Sequence, residues 1–233
     1  GDRGRAIHEA RQSFKRLRAL LRLARPDLGG DFDVEFRRFR DSGRALSWWR
    51  EAAVMAETFD SIVADRNGRL DRQEAALLRA ALPTIDAAGA NFDMQVGLIL
   101  QSLDAPEGKC TALAWPKKTR ALVRALRTSQ SRLRKSWRTA RAESSSEALH
   151  SWRKRIKDQA AQLRLLRQIL PEPMRERRDE EKRIAAELGE DHDLWVLSDY
   201  LAKNRAPPGT GFTRVRICAI IYERRRELRG KAL

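Results

Sequence analysis

Hydrophobic and polar positions recur along this chain with the spacing of helices rather than strands. Ala, Leu, Arg, Glu and Gln, which favour helices, fill almost every segment, and no stretch alternates β-branched residues over a strand's length. Clusters of proline, glycine and serine divide the chain into eight predicted helices. These helices cover residues 3–25, 31–65, 70–82, 86–103, 116–142, 147–170, 173–204 and 211–229. The pattern therefore predicts an all-α protein.

The chain contains an internal repeat at an offset of 142 residues. Ten positions between Ala6 and Leu28 carry the same residue 142 positions later. The offset predicts repeat units at 6–60 and 148–202, within a first half (1–143) and a second half (144–233) of one domain. Two related halves usually pack about a two-fold axis. We therefore expect two copies of a helical hairpin related by internal pseudo-two-fold symmetry, whose repeated faces meet or flank a shared cleft.

One face of the first predicted helix carries an uninterrupted row of basic side chains, spaced by three or four residues. The row consists of His8, Arg11, Lys15, Arg18, Arg22 and Arg25. The second repeat supplies a matching row of His150, Arg153, Lys157, Arg164 and Arg167. Because like charges one turn apart destabilise a helix, two such rows favour an anion-binding face over a merely solvated one.

The overall charge narrows the class of partner. The sequence has 48 Lys+Arg against 32 Asp+Glu, a net charge of +16, and 38 of the basic residues are Arg. Guanidinium groups bind phosphate oxygens in pairs, so we expect a phosphate polymer. The two Cys and three His lack metal-ligand spacing, which predicts no metal, no cofactor and a reducing compartment such as the cytoplasm. No stretch of the sequence is apolar over enough residues to predict insertion into a membrane.

Further basic residues leave two interpretations open. Arg120, Arg124 and Arg127 begin a third basic row, which is either a solvated face or part of the site.

A lone histidine is commonly a buried hydrogen-bonding group. At His8 and His150, neighbouring cations disfavour the charged imidazole, which predicts a neutral ring able to donate one N–H to an anion. The repeat also pairs two more candidates, Arg50 and His192.

Three segments together resemble the CHAD family, the conserved histidine α-helical domain. They are Ile7-His8-Glu9-Ala10-Arg11 with Lys15-Arg16-Leu17-Arg18, the repeat from Leu149-His150 to Lys157, and Leu188-Gly189 followed by His192-Asp193-Leu194. The resemblance implies paired helical bundles around a basic cleft that binds inorganic polyphosphate without catalysis. It also suggests association with, or fusion to, other polyphosphate-related proteins and targeting to polyphosphate granules. The implied binding residues are His8, Arg11, Lys15, Arg18, Arg22, His150, Arg153, Lys157 and Arg164.

Two other function classes provide alternatives. Nucleic-acid binding is the first, and it predicts stacking aromatic side chains or a recognition helix among the basic residues. A phosphate-metabolising enzyme is the second, and it needs a carboxylate cluster for Mg²⁺. The best candidates are Glu190, Asp191 and Asp193, which we expect to lie near arginines of a neighbouring helix. The second repeat departs from the family pattern at Asp158-Gln159-Ala160, where another basic turn is usual.

Overall fold

Helices form the architecture throughout the part of the chain that the structure describes. The computed structural model describes residues 2–28, 31–65, 70–85, 89–104, 119–168 and 172–233. These residues contain nine helices and no strand, which confirms the all-α prediction. The helices are α1 (Asp2–Leu28), α2 (Asp31–Ala45), α3 (Ser47–Asp65), α4 (Arg72–Ala80), α5 (Gly89–Leu103), α6 (Thr119–Glu143), α7 (Ser146–Leu165), α8 (Glu172–Lys203) and α9 (Gly211–Ala232). Predicted helix positions 86–88, 116–118 and 169–170 lie outside the described residues. No helix in the described ranges is both long enough and apolar enough to cross a membrane.

The single helix predicted for residues 31–65 is wrong, because a turn at Leu46 separates α2 from α3. The last turn of any helix leaves carbonyl groups without an intrahelical donor. Here the Arg11 guanidinium of α1 donates to the Gly43 carbonyl and, at 2.8 Å, to the Ser47 hydroxyl oxygen. Leu46 itself is buried. The break is therefore stabilised from outside the segment, which its own pattern of residues could not indicate.

A short connection joins α6 and α7 into a helical hairpin. Ser144 adopts a left-handed backbone conformation, with φ of 49°, and its N–H donates to the Ala140 carbonyl at 2.9 Å. The Ser145 hydroxyl then accepts a hydrogen bond from the Ala148 N–H at 3.1 Å and caps α7. At its other end α7 stops at Leu165, five residues before the predicted end. Arg167 consequently lies in the turn after the helix.

The described chain divides into two compact units. Unit 1 comprises residues 1–47 and 89–185, and unit 2 comprises 48–88 and 186–233. In unit 1, α1 packs against α2, α6 and α7, while α6 packs against α7. Its buried side chains include Phe14, Leu21, Ile156 and Leu163. Unit 2 has its own core of α3, α4, α8 and α9 side chains. That core is built from Met55, Phe59, Ile62, Leu70, Leu78, Leu82, Leu194, Leu197, Leu201, Ile217, Ile221 and Leu228.

Each unit takes helices from both predicted sequence halves. The leading helices of the two repeats, α1 and α7, pack together in unit 1. The following segments differ in form, since residues 31–65 are divided into α2 and α3 whereas 172–203 is one helix. The pseudo-two-fold symmetry, the halves 1–143 and 144–233 and the central cleft remain predictions.

Candidate anion-binding site

The three basic rows of the sequence belong to helices that contact one another in unit 1. The first row lies on α1, the second on α7 and the third on α6. Each of these helices packs against the other two. Residues from all three helices can therefore contribute to one site.

A cavity of about 330 Å³ opens among α1, α6 and α7. The residues that line it come from all three helices, and most have polar or charged side chains, although the surface that they present to the cavity is mostly apolar. They are Arg22, Arg25, Arg124, Ala125, Thr128, Ser129, Arg132, Arg155, Asp158 and Gln162. Five arginines against one aspartate give this lining a net charge of +4. Such a cavity attracts anions, and its guanidinium groups supply N–H donors in the planar arrangement that suits phosphate oxygens. We call it the arginine cavity.

Aromatic side chains of α2 hold two of these arginines in place. The Arg22 guanidinium carbon lies 4.7 Å from the centre of the Phe36 ring, and that of Arg25 lies 4.7 Å from the Phe32 ring. Cation–π contacts of this kind contribute about 0.5–1 kcal/mol at exposed sites and more where water is excluded. Arg22 and Arg25 are thus positioned before any ligand arrives.

Asp158 is the acidic member of the arginine cavity. Its Oδ1 accepts a hydrogen bond from Arg22 Nη1 at 2.8 Å, and its Oδ2 lies 3.8 Å from Arg155 Nη1. The Asp158 and Arg22 side chains are only 23% and 20% exposed, so bulk water screens this ion pair weakly. The carboxylate therefore joins α1 to α7 and neutralises part of the local charge.

Positive charge continues from the cavity over the adjoining surface of unit 1. Burial lowers the pKa of Arg18, and the charges of Arg11, Arg44 and Arg40 lower it further, while Asp158 opposes them. Burial likewise lowers the pKa of Lys154, with Arg155, Arg44 and Arg153 adding to the effect against Asp158. Because Arg44 acts on both Arg18 and Lys154, α1, α2 and α7 contribute to one electrostatic field. We call the four residues Arg18, Arg40, Arg44 and Lys154, which these electrostatic effects connect, the basic tract.

His150 lies in a cationic group at the start of α7. Burial lowers its pKa to about 4, and the charges of Lys154, Arg153 and Lys157 act in the same direction. The direction agrees with the neutral imidazole expected at position 150, although burial is a larger cause than the neighbouring cations. A neutral ring retains one N–H, which can donate to an anion.

Comparison with known families supplies the family of this chain. A family model described as the CHAD domain matches residues 1–202. The chain belongs to the CHAD-domain family. No curated protein and no solved structure matches it. The matched residues of this CHAD-domain protein include all of α1, α6 and α7, whereas α9 follows the match.

Three of the predicted binding residues of this CHAD-domain protein line the arginine cavity: Arg22, Arg25 and Arg124. Arg18 lies beside the cavity, in the basic tract. The cavity-facing side of α7 carries Arg155 and Asp158, so the lining found in the described residues does not include the predicted α7 row. That row consists of His150, Arg153, Lys157, Arg164 and, in the turn after α7, Arg167. Arg120 and Arg127 are exposed on α6, outside the lining found in the described chain.

Other predicted residues have different surroundings. On α1, His8 Nε2 lies 3.4 Å from Gln12 Nε2, and Lys15 is partly buried outside the cavity lining seen in the described chain. Arg50 and His192 belong to unit 2. Arg50 Nη1 lies 3.5 Å from Glu57 Oε1. The rings of His192 and Trp195 stack with their centres 5.7 Å apart.

Sequence reasoning missed two arginines of the cavity, Arg132 and Arg155. Arg132 follows Arg124 and Thr128 at intervals of four residues, which places all three on one face of α6. Arg155 precedes Asp158 and Gln162 by three and seven residues on α7. Both faces could have been found by looking for polar residues at helical spacing in general instead of for arginines alone.

The acidic segment of α8 has partners that differ from those of a metal site. Asp191 is buried, and its Oδ1 accepts hydrogen bonds from Arg225 Nε at 3.0 Å and Arg229 Nε at 2.9 Å. Glu190 pairs with Arg224, which also contacts Asp65 at 2.9 Å. The expected proximity of Glu190 and Asp191 to arginines of another helix is thereby confirmed. In the described ranges, no group of three or more acidic, His or Cys side chains is arranged to hold a metal ion.

Replacing Arg11 by Ala should lower the free energy of unfolding. Its effect on the free energy of anion binding should be smaller. The change removes the donor to the Gly43 carbonyl and the Ser47 hydroxyl, and a hydrogen bond from a charged group contributes about 1.5–3 kcal/mol. We expect the free energy of unfolding to fall by about 2 kcal/mol in urea titrations. Arg16→Ala, at an exposed position on the same helix, is the control and should change it by less than about 0.5 kcal/mol. Equal effects of the two substitutions would contradict a role for Arg11 at the α2–α3 break.

His150 should make the folded state less stable in mild acid. Its pKa is about 4 in the folded protein, below the ordinary 6.5, so the unfolded chain binds the proton first as pH falls. Stability is therefore complete above pH 6.5 and decreases as pH falls toward 4. Allowing for solvent screening of a half-buried group, we expect a loss of about 1 kcal/mol between pH 7.5 and 5. Urea titrations of the wild type and His150→Gln at both pH values measure it, and identical pH dependence in both proteins would refute it.

Proposed function

We propose that this CHAD-domain protein binds inorganic polyphosphate, a long linear polyanion, and that binding involves no catalytic step. The observation that carries the proposal is the arginine cavity, which five arginines from α1, α6 and α7 line. Membership of the CHAD-domain family is consistent with a polyphosphate-related function.

The chemistry of the cavity suits linked phosphates. Arginine stays charged at any physiological pH and can donate two parallel N–H bonds to one phosphate group. Arg22 and Arg25 are already held against Phe36 and Phe32, so less side-chain freedom is lost on binding. A polyanion also releases its condensed counterions when basic groups neutralise it, which favours binding at low salt.

The basic tract favours tighter binding of a long polymer than of a single phosphate. Arg18, Arg44 and Lys154 extend the positive field of unit 1 beyond the cavity itself. A chain with one segment in the arginine cavity can place neighbouring phosphates against this tract. Each further neutralised phosphate adds to affinity and to its salt dependence.

Nucleic acid is the competing ligand, and aromatic surfaces help to distinguish the two. Proteins that bind single strands stack bases on exposed aromatic rings. At the arginine cavity, Phe36 and Phe32 are instead contacted by Arg22 and Arg25. The proposal therefore rests on charge density, which polyphosphate supplies without sugars or bases.

Competition at fixed salt tests the proposal. A fluorescently labelled polyphosphate is bound to the protein, and unlabelled polyphosphate, single-stranded DNA and RNA of equal phosphate concentration are added in turn. We expect polyphosphate to displace the probe at concentrations at least about tenfold lower than either nucleic acid. Equal or better displacement by DNA or RNA would favour nucleic-acid binding.

The proposal extends to location and partners. A polyphosphate-binding protein in the cytoplasm would concentrate at polyphosphate granules, and a protein fused to or associated with it would be carried there. The binding role concerns unit 1, and unit 2 supplies a separate core.

A further inference from the structure

The arginine cavity already contains an anion that belongs to the protein. Asp158 projects its two carboxylate oxygens toward different arginines, Arg22 at 2.8 Å and Arg155 at 3.8 Å. The other lining side chains that the structure describes are cationic or neutral. A carboxylate between two guanidinium groups occupies the kind of position that a phosphate oxygen would take.

The position of Asp158 is fixed from several sides. Arg22 is held against Phe36 of α2, so its guanidinium cannot turn away from the carboxylate without losing that contact. Both side chains are mostly shielded from water. Charges in such surroundings interact more strongly than charges on an open surface.

The influence of Asp158 also reaches the basic tract. Its charge raises the pKa of Arg18 and of Lys154, in both cases against the effects of burial and of neighbouring cations. One carboxylate thus offsets part of the field of α1 and α7 together. An incoming phosphate is repelled by it wherever these helices would bind that phosphate.

We propose that Asp158 acts as an internal counterion that holds part of the anion site in the ligand-free protein. This inference rests on the proposed function and adds a residue that sets its affinity. A ligand must either displace the carboxylate from Arg22 or bind beside its negative charge. The cost is similar for every phosphate ligand, and several linked phosphates offset it more fully than a single phosphate does. Asp158 thereby lowers the affinity of the site for all of these ligands and leaves the shortest ones bound most weakly.

Replacing Asp158 by Asn tests the inference, because the amide keeps the size of the side chain and an acceptor for Arg22 but removes the charge. The probes are tripolyphosphate and inorganic orthophosphate, measured by calorimetry at fixed salt. We expect Asp158→Asn to bind tripolyphosphate about tenfold more tightly than the wild type, and orthophosphate to gain by a similar factor. Helical circular dichroism of Asp158→Asn checks that a gain in affinity does not come from a partly unfolded, basic chain.

Asp60→Asn is the matched control. Asp60 contacts Arg79 at the same 2.8 Å, but it is exposed on α3 in unit 2 and, within the described chain, touches no arginine of the cavity or of the basic tract. This variant gains the same net charge, and we expect its tripolyphosphate affinity to stay within about twofold of the wild type. An equal gain in both variants would overturn the inference, since overall charge would then explain the effect.

The remaining outcomes separate the inference from the proposed function. Unchanged or weaker tripolyphosphate binding by folded Asp158→Asn would overturn the inference alone, while long-chain polyphosphate bound by the wild type would still support the function. Failure of the wild type to bind polyphosphate would refute the function. Even if the wild type did not bind polyphosphate, a gain of tripolyphosphate binding by Asp158→Asn would support the role of Asp158 as an internal counterion. No gain in that case would overturn this role. Asp158→Ser gives the same comparison if the amide prevents folding.

Discussion

Removing Arg124 and Arg132 together should weaken polyphosphate binding about 100-fold. Both side chains line the arginine cavity from α6, and neither has an ion pair within the described residues. Each charge-assisted hydrogen bond to a phosphate contributes about 1.5–3 kcal/mol, so two lost arginines cost about 3 kcal/mol. About 1.4 kcal/mol corresponds to a factor of ten in the dissociation constant. Titration of labelled polyphosphate with Arg124→Ala/Arg132→Ala measures the effect.

The same helix provides a control of equal charge. Arg127 and Arg134 are exposed on α6 and lie outside the cavity lining that the described residues form. Arg127→Ala/Arg134→Ala removes two charges and two long side chains at similar places along the helix. We expect less than about a threefold change in affinity, because these two arginines do not line the cavity and act mainly through the screened field of the whole protein. Comparable losses in the two double variants would mean that overall charge, and not the cavity, binds the polymer.

The salt dependence of polyphosphate binding provides a second measurement on the Arg124→Ala/Arg132→Ala variant. The logarithm of the binding constant falls with the logarithm of salt concentration in proportion to the number of neutralised phosphates. We expect Arg124→Ala/Arg132→Ala to flatten this slope by up to about two units, one for each lost contact. The control variant should keep the slope of the wild type.

Removing Arg225 and Arg229 together should destabilise unit 2 without weakening polyphosphate binding. Their Nε–H groups both donate to Asp191, whose side chain is only 5% exposed. Truncating both partners leaves a buried carboxylate uncompensated, and such changes cost about 3–5 kcal/mol in fully buried pairs. Because these arginines are partly exposed, we expect a loss of about 2–3 kcal/mol in the free energy of unfolding. Urea titration followed by helical circular dichroism measures it.

Arg226→Ala/Lys231→Ala is the control for that loss. Both side chains are exposed on α9. Replacing them removes two positive charges from the same helix, as the change of Arg225 and Arg229 does. We expect a change of less than about 0.5 kcal/mol. If the two double variants unfolded alike, the Asp191 ion pairs would have no special role in stability.

Much of the fold could be predicted from the sequence because the signals that begin and end helices are local. Helical periodicity and the proline, glycine and serine clusters predicted most helices to within a few residues. The α2–α3 break escaped because its stabilising contact comes from Arg11, which is 32 residues away from Gly43. Arg11 has the same spacing as the rest of its basic row, so nothing in the sequence distinguishes its contact with the α2–α3 break from phosphate binding.

The site was partly predictable for a similar reason. Arg22 and Arg25 were found because a row of cations on one helix face is visible in the sequence. On α6 only Arg124 of the predicted basic row lines the cavity, whereas Arg120 and Arg127 lie outside the lining that the described residues form. Packing instead buries Ala125, Leu133 and Ala140 and turns the face of Arg124, Thr128 and Arg132 toward it. The spacing of Arg124, Thr128 and Arg132 is visible in the sequence, but the rotation of a helix about its axis depends on its neighbours, so the folded structure was needed to select this face over the others on α6.

A crystal structure with bound tripolyphosphate tests the central claim most directly, because it shows where the phosphates lie. We expect phosphate oxygens within hydrogen-bonding distance of the guanidinium groups of Arg124 and Arg132, between α1, α6 and α7. Well-defined phosphates bound only at the exposed Arg127 and Arg134, or only in unit 2, would contradict the assignment of the arginine cavity as the binding site.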